Sequence, residues 1–143
     1  MTRVEDILNL AFALITDTDL AKLSDEDLAD LSTSFLTFAI KDFKECKKDM
    51  TITENEEGER VLTDELTSEE QAILAYGWLY YWLHHKVMYN KMLRNVINTK
   101  DFNQLSPANI LLRMTELMED ARKNFLRARK RYTGNYTDFE GFS

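Results

Sequence analysis

Two histidines stand side by side, His84 and His85, in the stretch YYWLHHKVMYNK. Imidazole is the commonest side-chain metal ligand. Adjacent helical residues, however, point about 100° apart, so the pair cannot close on one ion from one face. No HExxH or CxxC spacing accompanies them, and both read as core or interface residues. Cys46 is the single cysteine. That excludes an internal disulfide, and no histidine lies near it in sequence to make it a nucleophile. Asp17 and Asp19 have the alternate spacing of a calcium loop. Such a loop needs glycine where Lys22 stands and glutamate where Leu28 stands, so it is rejected. Glu54, Glu56, Glu57 and Glu59 surround Gly58 and read as a solvated turn rather than a metal cage. No phosphate-binding glycine loop or nucleophile elbow is present, and four glycines leave little room for catalytic loops. The chain therefore reads as no enzyme, with no cofactor and no metal.

Two side-chain sets remain. Tyr76, Trp78, Tyr80, Tyr81, Trp82 and Tyr89 are numerous enough for a base-stacking platform, but their helical spacing is that of a core. Arg122, Lys123, Arg127, Arg129, Lys130 and Arg131 form a cationic stripe suited to phosphates or to an acidic protein surface. Charge is unevenly spread. Residues 1–70 hold 7 Lys/Arg and 19 Asp/Glu, a net of −12. Residues 71–143 hold 11 and 6, a net of +5, for −7 overall. The overall negative charge disfavours free DNA binding as the main role, and the asymmetry suggests head-to-tail association or two different charged partners, the alternative being simply solvated faces.

The elements that must position these residues are helical. At 143 residues the chain reads as one soluble domain with no signal peptide, and its one cysteine suits a reducing compartment or one where redox does not matter. Its most apolar run, AILAYGWLYYWL, is about half the length needed to span a bilayer. Thr2 and Glu5 have capping-box spacing, and Val4, Ile7, Leu8, Ala11, Leu14 and Ile15 then mark one helical face. Ser24 caps a second helix with a main stripe of Leu28, Leu31, Phe35 and Phe38, widened by Leu36, Ala39, Ile40 and Phe43. It leaves through Lys44, Lys47 and Lys48. Residues 51–63 read as a short hairpin or irregular loop.

Thr67 with Glu70 forms another capping box. It opens the longest helix, apolar on most of its circumference and so placed mid-bundle, with Gly77 admitting a close neighbour. In SPAN, Ser106 is an N-cap and Pro107 the first helical residue, where its missing N–H costs nothing. Leu111, Met114, Met118, Ala121, Phe125, Ala128 and Tyr132 then follow a heptad seam that the cations avoid. Helices over 67–97 and 106–132 are expected to pack antiparallel. The tail TGNYTDFEGFS has two glycines and aromatics at every third position, Tyr136, Phe139 and Phe142. It is expected to leave the helix as an extended docking arm.

The segment LTDELTSEEQAILAYGWLYYWL, followed by TKDFNQLSPANILLRMTELMEDARK and a tyrosine-bearing end, resembles small helical head–tail connector or adaptor proteins of the necks of tailed bacteriophages, closest to those of Gram-positive hosts. The resemblance covers about residues 62 to 136. It implies a dodecameric ring beneath the portal protein, beside a neighbouring neck or tail protein, with DNA passing through the lumen without sequence recognition. It implies no catalysis and no membrane, and a location in the virion neck after synthesis in the host cytoplasm. It also puts the loop Lys100, Asp101 and Phe102 at one end of the bundle, within reach of an adjacent ring.

The expectation is thus an all-α bundle of about four helices over residues 1–132, with a hairpin or loop insertion and an extended arm over 133–143. Its interaction residues are Arg122, Lys123, Arg127, Lys130, Arg131, Tyr136, Phe139, Phe142 and Lys100–Phe102. The alternative is a nucleic-acid-binding or regulatory module using the basic end of the last helix.

Overall fold

The computed structural model describes the backbone of residues 1–14, 28–96 and 107–141, with side chains given within 1–14, 32–88 and 111–134. In chain order the elements are β1 (Thr2–Arg3), α1 (Val4–Ala13), α2 (Leu28–Asp42), β2 (Ile52–Glu54), β3 (Arg60–Leu62), α3 (Ser68–Val96) and α4 (Pro107–Gly141). The fold is mostly helical with one small antiparallel sheet.

Helix α3 is the hub, because α1, α2 and α4 all pack against it. Its start is the expected capping box. The Thr67 N–H donates to Glu70 Oε1 at 2.8 Å, and the Glu70 N–H donates to Thr67 Oγ1 at 3.2 Å. Ile73, Leu74, Ala75, Trp78, Trp82, Leu83 and Val87 are buried around its circumference. Trp78, fully enclosed, stacks on Trp82 and meets Phe12 and Phe35 edge-on. Its indole N–H donates to the Ser32 carbonyl at 3.0 Å, so no buried donor is left unpaired.

The seam of α4 faces this hub. Met114, Ala121, Phe125 and Tyr132 are buried, while Leu111, Met118 and Ala128 are partly covered. Leu111 is thus less enclosed than its seam position implies. Contacts run in opposite orders along the two helices: Glu70 with Tyr132, Gly77 with Phe125, Val87 with Met114. The pair is antiparallel.

Gly77 sits where three helices meet. A Cβ built there would lie 2.8 Å from Ala39 Cβ and 2.9 Å from Phe125 Cζ. Neither neighbour can swing away, since one is fixed to the α2 backbone and the other is a buried ring. Gly77→Ala gains about 1 kcal/mol of helix propensity but overpacks the junction at a cost of about 1–3 kcal/mol. The expected outcome in a denaturant melt is net destabilisation. A more stable variant would show that the helices are not this close.

Five expectations are corrected. Thr2 does not cap α1: Arg3 occupies that position, without a side-chain cap. Thr2 instead lies in β1, pairing with Leu62, and its hydroxyl donates to the Asp64 carbonyl at 3.0 Å and accepts from the Leu66 N–H at 2.7 Å. The expected hairpin, β2 with β3, therefore gains a third strand in the order β1-β3-β2. At its turn Gly58 takes φ +80°, and Asn55 Oδ1 accepts the N–H groups of Glu57 and Glu59.

In α2 the buried positions are Ser32, Phe35, Leu36, Ala39 and Phe43, whereas Phe38 is 46% exposed. The stripe lies one step around from the one expected, because α3 contacts the Phe35/Ala39 side. The chain leaves α2 at Asp42 with Lys41 in its last turn, and Lys48 is used elsewhere. Finally, α4 does not stop at Tyr132: its backbone is helical through Gly141, so the expected extended tail is helix there and crosses the expected 132/133 boundary. An established helix adds one hydrogen bond for each further residue. Gly134 has no positive φ and no close neighbour, so it costs about 1 kcal/mol without forcing a break. Ser24, Ser106, Leu28 and Leu31 as side chains, Asp17 and Asp19 lie outside the described residues.

Candidate functional site

At about 1.5 Å per residue, the 35 residues of α4 extend about 50 Å. With the seam turned inward, Lys123, Leu126, Arg127, Lys130 and Arg131 share one outward side, spanning about 140° opposite the seam. All five are exposed. Leu112, two heptads before Leu126, is 59% exposed on the same side. Lys123, Arg127, Lys130 and Arg131 form no ion pair among the described residues. The arrangement is a straight, cationic, leucine-bearing face that can receive carboxylates or phosphates.

Two other cations of the stripe are spent inside the protomer. Arg122 pairs with Glu119 one turn earlier, Nη2 to Oε2 at 3.0 Å. Arg129 makes a fork onto Glu45, with Nη2 to Oε1 at 3.0 Å and Nε to Oε2 at 3.2 Å, and lies over the Phe125 ring. Burial alone would raise the Glu45 pKa, but the Arg129 fork outweighs it and holds the carboxyl below its ordinary range. Arg122, expected among the interacting cations, is therefore partly neutralised. Arg129 acts as a tether from α4 to the segment after α2.

A second tether holds the end of the seam. Glu70 is completely buried and gathers groups from three parts of the chain. Lys48 Nζ donates to Oε1 at 2.7 Å, alongside the Thr67 N–H. Tyr132 Oη donates to Oε2 at 2.8 Å, and Cys46 Sγ lies 3.4 Å from the same oxygen. Burial pushes the carboxyl pKa up, yet the Lys48, Thr67, Tyr132 and Cys46 donors together bring it down to about 2. Burial first, and the Glu70 carboxylate with it, raise the pKa values of both Tyr132 and Cys46. Cys46 is thus a buried, protonated thiol. The capping box was the only sequence signal for this cluster. Lys48 read as a helix-end charge and Tyr132 as a seam residue, and nothing local linked either to Glu70.

His84 and His85 are half-buried against aromatic rings, with Tyr80 at 6.0 Å and Phe35 at 5.6 Å between centroids. The aromatic set divides. Trp78 and Trp82 are core, while Tyr76, Tyr80 and Tyr81 are half-exposed. The Tyr81 hydroxyl donates to Asp42, and burial first and then that carboxylate raise its pKa. Glu54, Glu56 and Glu57 are exposed at the hairpin turn, and Glu59 pairs with Arg3 at 3.0 Å. Lys100, Asp101, Phe102 and Phe142 lie outside the described residues, as do the side chains of Tyr136, Phe139 and Tyr89.

A groove lined by Leu14, Tyr76, Leu79, Leu83 and Leu117, with Asp120 and Asn124 at its rim, runs between α3 and α4. Among the described residues, no three His, Cys, Asp or Glu side chains are grouped to hold a metal ion. No helix among them is long and apolar enough to cross a membrane. Comparison with protein-family models, with curated proteins and with solved structures found no match to this chain.

Proposed function

We propose that this chain is a structural, non-catalytic protein of a tailed-phage neck, forming a ring between portal and tail through which DNA passes. The order of its segments supports this: a capped aromatic helix, the KDF sequence, then a proline-started leucine seam. The observation that carries it is the outer face of α4, where four cations with no ion pair among the described residues lie with two exposed leucines. Twelve copies is the ring size the resemblance implies. The portal protein and a neighbouring neck or tail protein are the partners, and the assembled virion is the location. Residues beyond Tyr132 extend past the last buried position of the seam among the described residues, which suits a docking segment bearing Tyr136, Phe139 and Phe142.

The test is the mass of the purified chain alone and mixed with portal protein. A discrete ring on the portal is the expected result, and no binding to portal would end the reading. Truncation after Tyr132 is expected to remove only the helix beyond it and leave the melting temperature nearly unchanged, because Tyr132 is the last buried residue of the helix among the described residues. Ring or portal assembly should nonetheless fail. Normal assembly without those residues would remove their docking role. The cationic face also favours a second reading, nucleic-acid binding. That reading requires strongly salt-dependent affinity for duplex DNA in the absence of portal.

A further inference from the structure

We infer that the acidic hairpin turn of one copy, at Glu54, Glu56 and Glu57, docks on the cationic outer face of α4 of the next copy, at Lys123, Arg127 and Lys130. This deepens the ring-forming reading and rests on it. Both surfaces are exposed, and no ion pair joins them within the protomer among the described residues. Both are presented on hydrogen-bonded backbone, so the ordering cost of meeting falls mainly on their side chains. The turn is fixed by the Asn55 side chain, which accepts two backbone N–H groups, and by the three-stranded register behind it. The α4 face is fixed by the seam and by the two tethers, Arg129 to Glu45 and Tyr132 to Glu70.

The turn belongs to the α1/α2 side of the molecule, where Glu59 pairs with Arg3 and Arg60 donates to Thr33. The cationic face belongs to α4. Two different surfaces that complement each other make a head-to-tail contact, which closes into a ring when the rotation per copy divides a full turn. The chain's own net charge of −7 favours this occupant over DNA. A polyanion would be attracted to the α4 face but repelled by the −12 half of the same chain.

The experiment is charge reversal and charge swap on the full-length chain, read by sedimentation equilibrium. Self-association of the wild type is expected to be strong at about 0.01 M salt and weak at about 1 M, where screening lengths are about 30 Å and 3 Å. Arg127→Glu with Lys130→Glu, or Glu56→Lys with Glu57→Lys, should each weaken association by on the order of tenfold or more. Circular dichroism should confirm that each variant is folded. Mixing the two reversed proteins, or combining all four changes in one chain, should restore association. Folded reversal variants that associate like the wild type would overturn the proposal, as would failure of both rescues. A wild type that stays monomeric at low salt would overturn it too. Loss of duplex-DNA binding in the α4 reversal with no change in self-association would also overturn it, in favour of nucleic acid as occupant. Portal binding is measured separately. Rescue of self-association without portal binding would sink the neck reading and leave this contact standing.

Discussion

Phe125→Ala is expected to destabilise the fold by about 3–5 kcal/mol, a large part of the roughly 5–15 kcal/mol typical of a domain. Phe125 is 3% exposed and wedged against Gly77, and Arg129 lies over its ring. The closeness of Gly77 is what makes the loss large. Gly77 has no side chain that could move into the vacated volume on its side of the ring. In a chain of this length the melting temperature should fall by about 10 °C or more. A change below about 0.5 kcal/mol would place the ring on the surface. A double-mutant cycle sharpens the test. Gly77→Ala should cost less in the Phe125→Ala background, because one of its two close contacts is gone. It should still cost something, because the contact to Ala39 Cβ at 2.8 Å remains. Strict additivity would mean that the two residues do not touch.

Glu70→Ala is the second large effect, and pH gives it a signature. The variant removes the acceptor for Tyr132, Lys48 and the Thr67 N–H together. Lys48 is about one-third exposed and can turn to water. The Tyr132 Oη and the Thr67 N–H each lose the hydrogen bond they make to Glu70. The carboxyl pKa falls from 4.5 to about 2 on folding, worth about 3 kcal/mol of stability. Because the folded value is the lower one, this stability is fully present above pH 4.5. It is lost as the pH falls through the window towards 2, where Glu70 protonates in the folded state as well. The free-energy gap between wild type and Glu70→Gln should therefore be largest near neutral pH and shrink steadily below pH 4.5. A gap that stays constant down to pH 2 would mean that Glu70 is not ionised in the folded protein. Loss of this carboxylate should also loosen the C-terminal end of the α4 seam more than its middle. Amide exchange should then speed up around Tyr132 before it does around Met114.

The sequence alone determined most of the helical frame, because the signals involved are local or periodic. Thr67 and Glu70 lie three residues apart, so their mutual cap needs no distant partner. Pro107 announces a helix start through its own ring geometry. The 3-4 seam from Leu111 to Tyr132 and the apolar circumference of α3 record which sides face other helices. Gly77, alone inside such a pattern, implied a close neighbour. Within the candidate site, the cationic stripe was legible as a set of residues avoiding the seam.

What only the tertiary structure decided lies in pairings between residues far apart in the chain. Thr2 and Glu5 carry a capping pattern, yet partners more than sixty residues away turn Thr2 into a strand residue. No local rule contains Asp64 or Leu66. Phe35 and Phe38 are equally apolar, and only the direction from which α3 approaches buries one and exposes the other. Among the neighbouring cations, Arg129 is drawn onto Glu45 from a distant part of the chain, which no local rule contains, whereas the Arg122 pair with Glu119 is local to α4. Helix propagation likewise carries α4 past the glycine that composition marked as its end. Glu70 shows both levels at once. Its cap is written in a four-residue stretch, while its burial and its low pKa come from Lys48, Cys46 and Tyr132, which only folding brings within hydrogen-bond range.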